Sequence, residues 1–120
     1  MGKELIINIV IAVLAYLIGS LSPSIFISKL KGKDILKEGS GNAGATNAVR
    51  VLGPKLGLCV FALDFIKGFL VTFLSLTLIG NSAAYVASVA VIVGHIFSVF
   101  HKFHAGKGVA PSIGVIFAVN

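Results

Sequence analysis

Charge is scarce in this sequence. Only 12% of its 120 residues are charged, four of them acidic, while 57% are hydrophobic and the mean hydropathy is +1.03. A soluble domain of this length has too little interior for so much apolar material, so the composition points to an integral membrane protein. The single cysteine, Cys59, lies inside an apolar run and excludes a disulfide framework. There is no internal repeat and no low-complexity segment. The N-terminal apolar run lacks a small-residue cleavage pattern and is too long for a removable signal peptide. Ten basic residues give a net charge of +6. They are not interleaved with aromatics as on a nucleic-acid surface, but gather at the ends of apolar runs, the membrane pattern. Nucleic acid is therefore not an expected partner; membrane lipid is.

What is present is a set of long apolar runs. They predict an all-α membrane protein, a single membrane domain over residues 1–120 with spans at about 5–27, 56–79 and 83–100. A fourth run, 109–120, would rise only about 18 Å as a helix, short of a hydrocarbon core of about 30 Å. The chain thus reads as the N-terminal portion of a longer multi-helix protein. Ser20, Ser22 and Pro23 interrupt the first run, which predicts a kink with hydroxyls bonding the freed carbonyls. Between the first two spans lie Lys29, Lys31, Lys33, Lys37, Arg50 and Lys55, against Asp34 and Glu38 alone; the next connection, "GNSA", is uncharged; the third, "HKFHAGKG", is basic again. The positive-inside rule then places the N-terminus outside and both basic, glycine-containing loops on the cytoplasmic side, where they can build one site. The segment 29–38, "KLKGKDILKE", reads as an interfacial connector with Ile35 and Leu36 dipping into the membrane.

The stretch "GSGNAGATNAVR", 39–50, stands apart from its apolar flanks. It formally matches G-x-G-x-x-G, but a lysine-rich segment precedes it where a dinucleotide fold needs a strand, and Asp64 falls inside a span. A better reading is an anion cradle opening a short helix: glycines let successive N–H groups converge on phosphate oxygens, and Ser40 or Asn42 caps the helix. From Ala43 onward, Thr46, Asn47 and Arg50 share one face while Ala45, Ala48, Val49 and Leu52 take the other. The polar face points at whatever the loop holds, and an arginine there can grip phosphate bidentately. The plainer alternative is a glycine-rich turn followed by an ordinary amphipathic connector.

The second loop sets Lys107 between Gly106 and Gly108. It lacks the earlier glycine and the following Ser or Thr of a nucleoside-triphosphate loop, but a lysine with bare neighbours suits phosphate as a point charge. Its alternative is an anchor lysine. His95, His101 and His104 have no carboxylate beside them to complete a metal site, so no metal is expected. His95 reads as a hydrogen-bonding residue that shapes the site. Asp64 and Lys67, three apart on one face of the second span, are expected to pair as structural support, with an ion pathway the lesser option.

"GSGNAGATNAVRVLG" and "GHIFSVFHKFHAGKGVA", with "GSLSPSIFISKLKG" and "LDFIKG", resemble the PlsY family of bacterial acyl-phosphate:glycerol-3-phosphate acyltransferases over almost the whole chain. The resemblance implies a multi-pass enzyme of the bacterial cytoplasmic membrane with its active site facing the cytoplasm. It implies transfer of a fatty acyl group from acyl-phosphate to the 1-hydroxyl of sn-glycerol-3-phosphate, giving lysophosphatidic acid and phosphate. Neither coenzyme A nor acyl carrier protein is then the direct donor, and no cofactor is implied. Carried over by motif, Ser40, Gly41, Asn42, Gly44, Gly106, Lys107 and Gly108 would hold the phosphate of the acyl-phosphate. Thr46, Asn47 and Arg50 would hold glycerol-3-phosphate, with Asn47, Arg50 and Lys107 catalytic and Asp64, Lys67 and His95 supporting them. Ser98 stands where the family usually has proline, and "HAGKG" replaces the commoner "GGKG". Family members also continue through further helices to a third polar motif. The alternative reading is a catalytically inactive membrane remnant that binds phosphate or anionic lipid. A small transporter built on Asp64 and Lys67 is disfavoured, because transporter sites sit near the midplane and not in surface loops.

Overall fold

The computed structural model describes residues 2–102 and 105–120. Among these, every regular element is helical: α1 (Gly2–Ser20), α2 (Pro23–Leu30), α3 (Ala45–Leu52), α4 (Pro54–Leu78), α5 (Asn81–Ile96), a 3-10 turn (Val99–His101) and α6 (Val109–Val119). Three stretches are long and apolar enough to cross a membrane: Gly2–Leu30, Pro54–Leu78 and Asn81–His101. At 25 residues α4 is about 37 Å long, more than the hydrocarbon core requires. The apolar helix α6 has 11 residues.

The bundle has its polar and small residues inside and its large apolar ones outside. The buried positions of α4 are Gly57, Val60, Asp64, Lys67, Gly68, Thr72 and Ser75, a stripe at steps of about three and four. Leu58, Leu63, Ile66, Leu70 and Leu74 point outward from the same helix. Water would penalise that arrangement and a bilayer rewards it, because lipid tails solvate leucine while buried small residues let helices approach. The closest approaches come in reciprocal pairs. A Cβ at Gly19 of α1 would fall on the Val91 carbonyl of α5, and one at Gly94 of α5 on the Tyr16 carbonyl of α1. In the same way Gly68 of α4 abuts the Pro111 carbonyl of α6, and Gly114 of α6 the Phe65 carbonyl of α4.

The first span is a complete break and not a kink. Helix α1 ends at Ser20, and α2 restarts after Leu21 and Ser22, with Pro23 at its start and the Ser22 hydroxyl accepting from Ile25 N at 3.3 Å. The freed carbonyls are met, but mainly by other spans. Ser98 Oγ donates to Ser20 O at 2.6 Å, and Lys67 Nζ donates to Gly19 O at 3.0 Å and Leu21 O at 2.9 Å. Ser20 Oγ in turn accepts from Val99 N, and Tyr16 Oη donates to Phe97 O at 2.6 Å, so the end of α5 is knitted to the break in α1.

The connector after α2 also differs from expectation. Ile35 is fully buried inside the protein, in a small core with Ile25, Ala43, Ala48, Val60 and Ala105, so it packs beneath the glycine loop and does not dip into lipid. The two glycine loops meet directly, Ala43 N donating to Ala105 O at 3.1 Å. At the other end of the bundle, Asn8 of α1 donates to Ser82 beside the uncharged α4–α5 turn.

Candidate functional site

The first loop is wound around Asn47. Its Nδ2 donates to Ile35 O at 3.2 Å, Glu38 O at 3.0 Å and Asn42 O at 2.9 Å, while Oδ1 accepts from Ser40 N at 2.9 Å. One buried amide thus gathers the backbone of residues 35–42 into a tight curl. The curl needs Gly39, whose φ of 57° is left-handed and whose missing Cβ leaves room for the Asn47 side chain. Helix α3 begins later than the sequence suggests, at Ala45, with Gly44 at the cap position and no side-chain cap. Asn42 Oδ1 instead accepts from Gly44 N at 2.8 Å, and Ser40 meets Asn47, so neither caps the helix. The expected polar face of α3 divides: Asn47 turns into the loop, whereas Thr46 and Arg50 remain exposed. The apolar side packs as expected, Ala48 in the core and Val49 against Gly57 of α4.

The second loop is hung from the end of α5. Ala105 N donates to Ile96 O and Gly106 N to His95 O, both at 3.1 Å. Gly106 lies flush against the His95 ring, and a Cβ there would collide with Nε2. Lys107 is exposed, and Gly108 opens α6. His104 lies outside the described residues; His101 is half-buried in the 3-10 turn, away from the cavity.

A cavity of about 410 Å³ lies between the loops. From the first loop and α3 it is lined by Ser40, Asn42, Gly44, Thr46, Asn47 and Arg50; from the second by Lys107 and Gly108; and from the spans by Asp64 and His95. Three sequence-marked residues stand outside the lining. Gly41 turns the loop behind it, Gly106 carries the His95 ring, and Lys67 is buried beneath, paired with Asp64 at 3.0 Å. Ala45, Phe61, Val109 and Ala110 complete the wall and were not marked. Nothing in the sequence distinguishes an apolar residue that faces a cavity from one that faces lipid. From Phe61 a row of rings runs down α4: Phe61, Phe65, Phe69 and Phe73 stack in sequence, centroids 5.5–6.4 Å apart, with Phe117 of α6 edge-on to Phe65.

Arg50 makes one long bond to Asn47 Oδ1, at 3.5 Å, and Lys107 has no carboxylate partner among the described residues. The only acid in the lining, Asp64, is committed to Lys67. The cavity therefore carries surplus positive charge. The N–H groups of the first loop do not converge on it as the glycine pattern suggests: those of Ser40, Gly41, Ala43 and Gly44 are taken by Asn47 Oδ1, Glu38 O, Ala105 O and Asn42 Oδ1.

Helices with apolar exteriors and a polar seam, capped at one end by a cationic cavity, define a multi-pass integral membrane protein. The profile of the glycerol-3-phosphate acyltransferase family matches residues 9–120. The glycerol-3-phosphate acyltransferase of Thermoanaerobacter pseudethanolicus is 47% identical over 110 residues, 91% of this chain and 56% of that protein. That of Aquifex aeolicus is 44% identical over 112 residues, 92% of this chain and 58% of its own length. The crystal structure of PlsY (YgiH), an integral membrane glycerol 3-phosphate acyltransferase, in its glycerol 3-phosphate form, superposes with a TM-score of 0.90 at 43% identity. It covers 94% of this chain and 57% of the PlsY chain, and the lysophosphatidic acid form gives 0.87. The chain belongs to the glycerol-3-phosphate acyltransferase family. It spans a little over half the length of these relatives.

Proposed function

We propose that this chain supplies the phosphate-gripping part of an acyltransferase site that moves a fatty acyl group from acyl-phosphate to the 1-hydroxyl of sn-glycerol-3-phosphate. The observation that carries this reading is the convergence of Arg50, from α3, and Lys107, from the second loop, on one cavity whose single acid is already paired. Two phosphorylated substrates need two cationic grips. Lys107 with the loop of Ser40, Asn42 and Gly44 suits the acyl-phosphate, and Arg50 with Thr46 suits glycerol-3-phosphate, its planar fork matching a phosphate edge. The phenylalanine row leading from Phe61 along α4, half-buried as far as Phe69 and exposed at Phe73, gives an acyl tail an apolar path on the lipid-facing side of the bundle.

In the transfer, the substrate hydroxyl oxygen forms the new ester bond to the acyl carbon as the bond from that carbon to the phosphate oxygen breaks. The departing phosphate takes the hydroxyl proton. Acyl-phosphate is already activated, so positioning and neutralisation of the phosphate charge carry the catalysis, and no acyl-enzyme forms. The cavity faces the cytoplasm and the N-terminus lies outside, as the loop charges favour.

Purified protein given acyl-phosphate and labelled glycerol-3-phosphate tests the reading. Lysophosphatidic acid is expected, and Arg50→Ala or Lys107→Ala should lower turnover at least about a hundredfold, the usual scale for removing one electrostatic contact to developing charge. Unchanged rates in both variants would remove these residues from the site. Labelled acyl group trapped on the protein would overturn direct transfer. Phosphate binding without any product would favour the alternative, an inactive remnant that holds phosphate or anionic lipid.

A further inference from the structure

The buried charges at the cavity wall and beneath it form a connected chain that the transfer step does not use. Lys67 Nζ binds Asp64 Oδ1 at 3.0 Å and the carbonyls of Gly19 and Leu21. His95 Nδ1 lies 3.6 Å from the same carboxylate oxygen, just beyond hydrogen-bond reach, and neither atom has a hydrogen-bond partner among the described residues, so ring nitrogen and carboxylate face each other directly. The other edge of the His95 ring rests on Gly106, and the His95 carbonyl accepts from Gly106 N. Gly106 directly precedes Lys107. Ring and carbonyl of one residue therefore fix the last turn of backbone before the exposed cation.

An isolated pair deep in a span would need only one acid and one base, and Lys67 already neutralises Asp64. A histidine brought to the same oxygen, at the cavity wall, has a different use. Its ring plane must be held for the loop to pack on it, and a carboxylate on the inward nitrogen does that in the way outer carboxylates orient histidines at metal sites.

We propose that Asp64 is a positioning residue: it holds the His95 ring against Gly106, and by that contact sets the place of Lys107 at the cavity mouth. Lys67 ties the same carboxylate to the break between α1 and α2, so the second loop is referenced to the first span as well as to α5. The role of Lys107 toward a phosphorylated ligand rests on the acyltransferase reading; the positioning itself does not.

The test uses the whole chain in detergent micelles, isotopically labelled, with inorganic phosphate and glycerol-3-phosphate as probes. Asp64→Asn keeps the shape but exchanges the carboxylate for an amide. It should shift the ring nitrogens of His95 and the amides of Gly106 and Lys107, while the turn at Gly80 and the start of α5 stay in place. Affinity for the two probes should fall about tenfold, the worth of one charge-assisted hydrogen bond. Wild-type resonances at Gly106 and Lys107 together with wild-type affinity would overturn the proposal. If the unmodified chain binds neither probe while Asp64→Asn still displaces Gly106 and Lys107, positioning stands and the phosphate reading falls. Should Asp64→Asn fail to fold, His95→Gln is read in the same way, and Gly106 and Lys107 left unmoved there would overturn the proposal equally.

Discussion

The carboxamide of Asn47 reaches three carbonyls and one N–H of a single loop, all between residues 35 and 42. An aspartate of the same shape could still accept from Ser40 N, but its second oxygen would confront three carbonyl oxygens. Asn47→Asp is therefore expected to cost about 2–4 kcal/mol, more than Asn47→Ala, because it adds repulsion to buried groups left unpaired. Thermal unfolding in detergent micelles reads the difference, and equal midpoints for the two variants would contradict it. Asparagine at this position looks like a substrate ligand in the sequence, since it shares a helix face with Thr46 and Arg50. The face was legible from the spacing of three and four. The commitment of the amide was not, because it depends on a loop curling back over its own helix, which no periodicity encodes.

At the scale of elements, the two glycine pairs are what let the helices stand close enough to enclose a cavity. Gly114 faces the Phe65 carbonyl and Gly68 the Pro111 carbonyl, so any side chain at Gly114 drives α6 away from α4. Gly114→Leu should destabilise the chain by about 1–3 kcal/mol. It should also displace the N-terminal end of α6, and with it Lys107, so that phosphate binding weakens although the substitution lies well along the helix. A variant that melts early yet binds phosphate like the parent would separate helix packing from the site. The long apolar runs made the three spans readable, as about 20 such residues have few other uses. The break at Leu21 and Ser22 was readable as an interruption, from its serines and Pro23. Its completion was not, since Lys67 and Ser98 reach it from 46 to 78 residues away. Ile35 misled for a related reason: an isoleucine among lysines resembles a membrane-interface anchor until a loop is found folded over it.

For the whole molecule, both basic loops lie together and the uncharged α4–α5 turn lies with the start of α1 at the opposite end. That separation makes orientation a measurable property. With Cys59 replaced by alanine, a cysteine at Lys33 should react with a membrane-impermeant reagent only from the cytoplasmic side, and one at Ser82 only from outside. The reverse pattern would invert the proposed topology while leaving the site intact. The two crystal forms of PlsY (YgiH) share the helical frame on which the cavity of this chain is built.

The broken first span has a consequence for the order in which this protein can be made. Ribosomes deliver residues 19–21 long before residues 67 and 98, at about 5–20 residues per second. Until those later side chains arrive, the carbonyls of Gly19, Ser20 and Leu21 lack the partners they have in the finished bundle. Helix α1 is thus inserted before it can take its final shape, and its bend is completed by spans that did not exist when it was inserted.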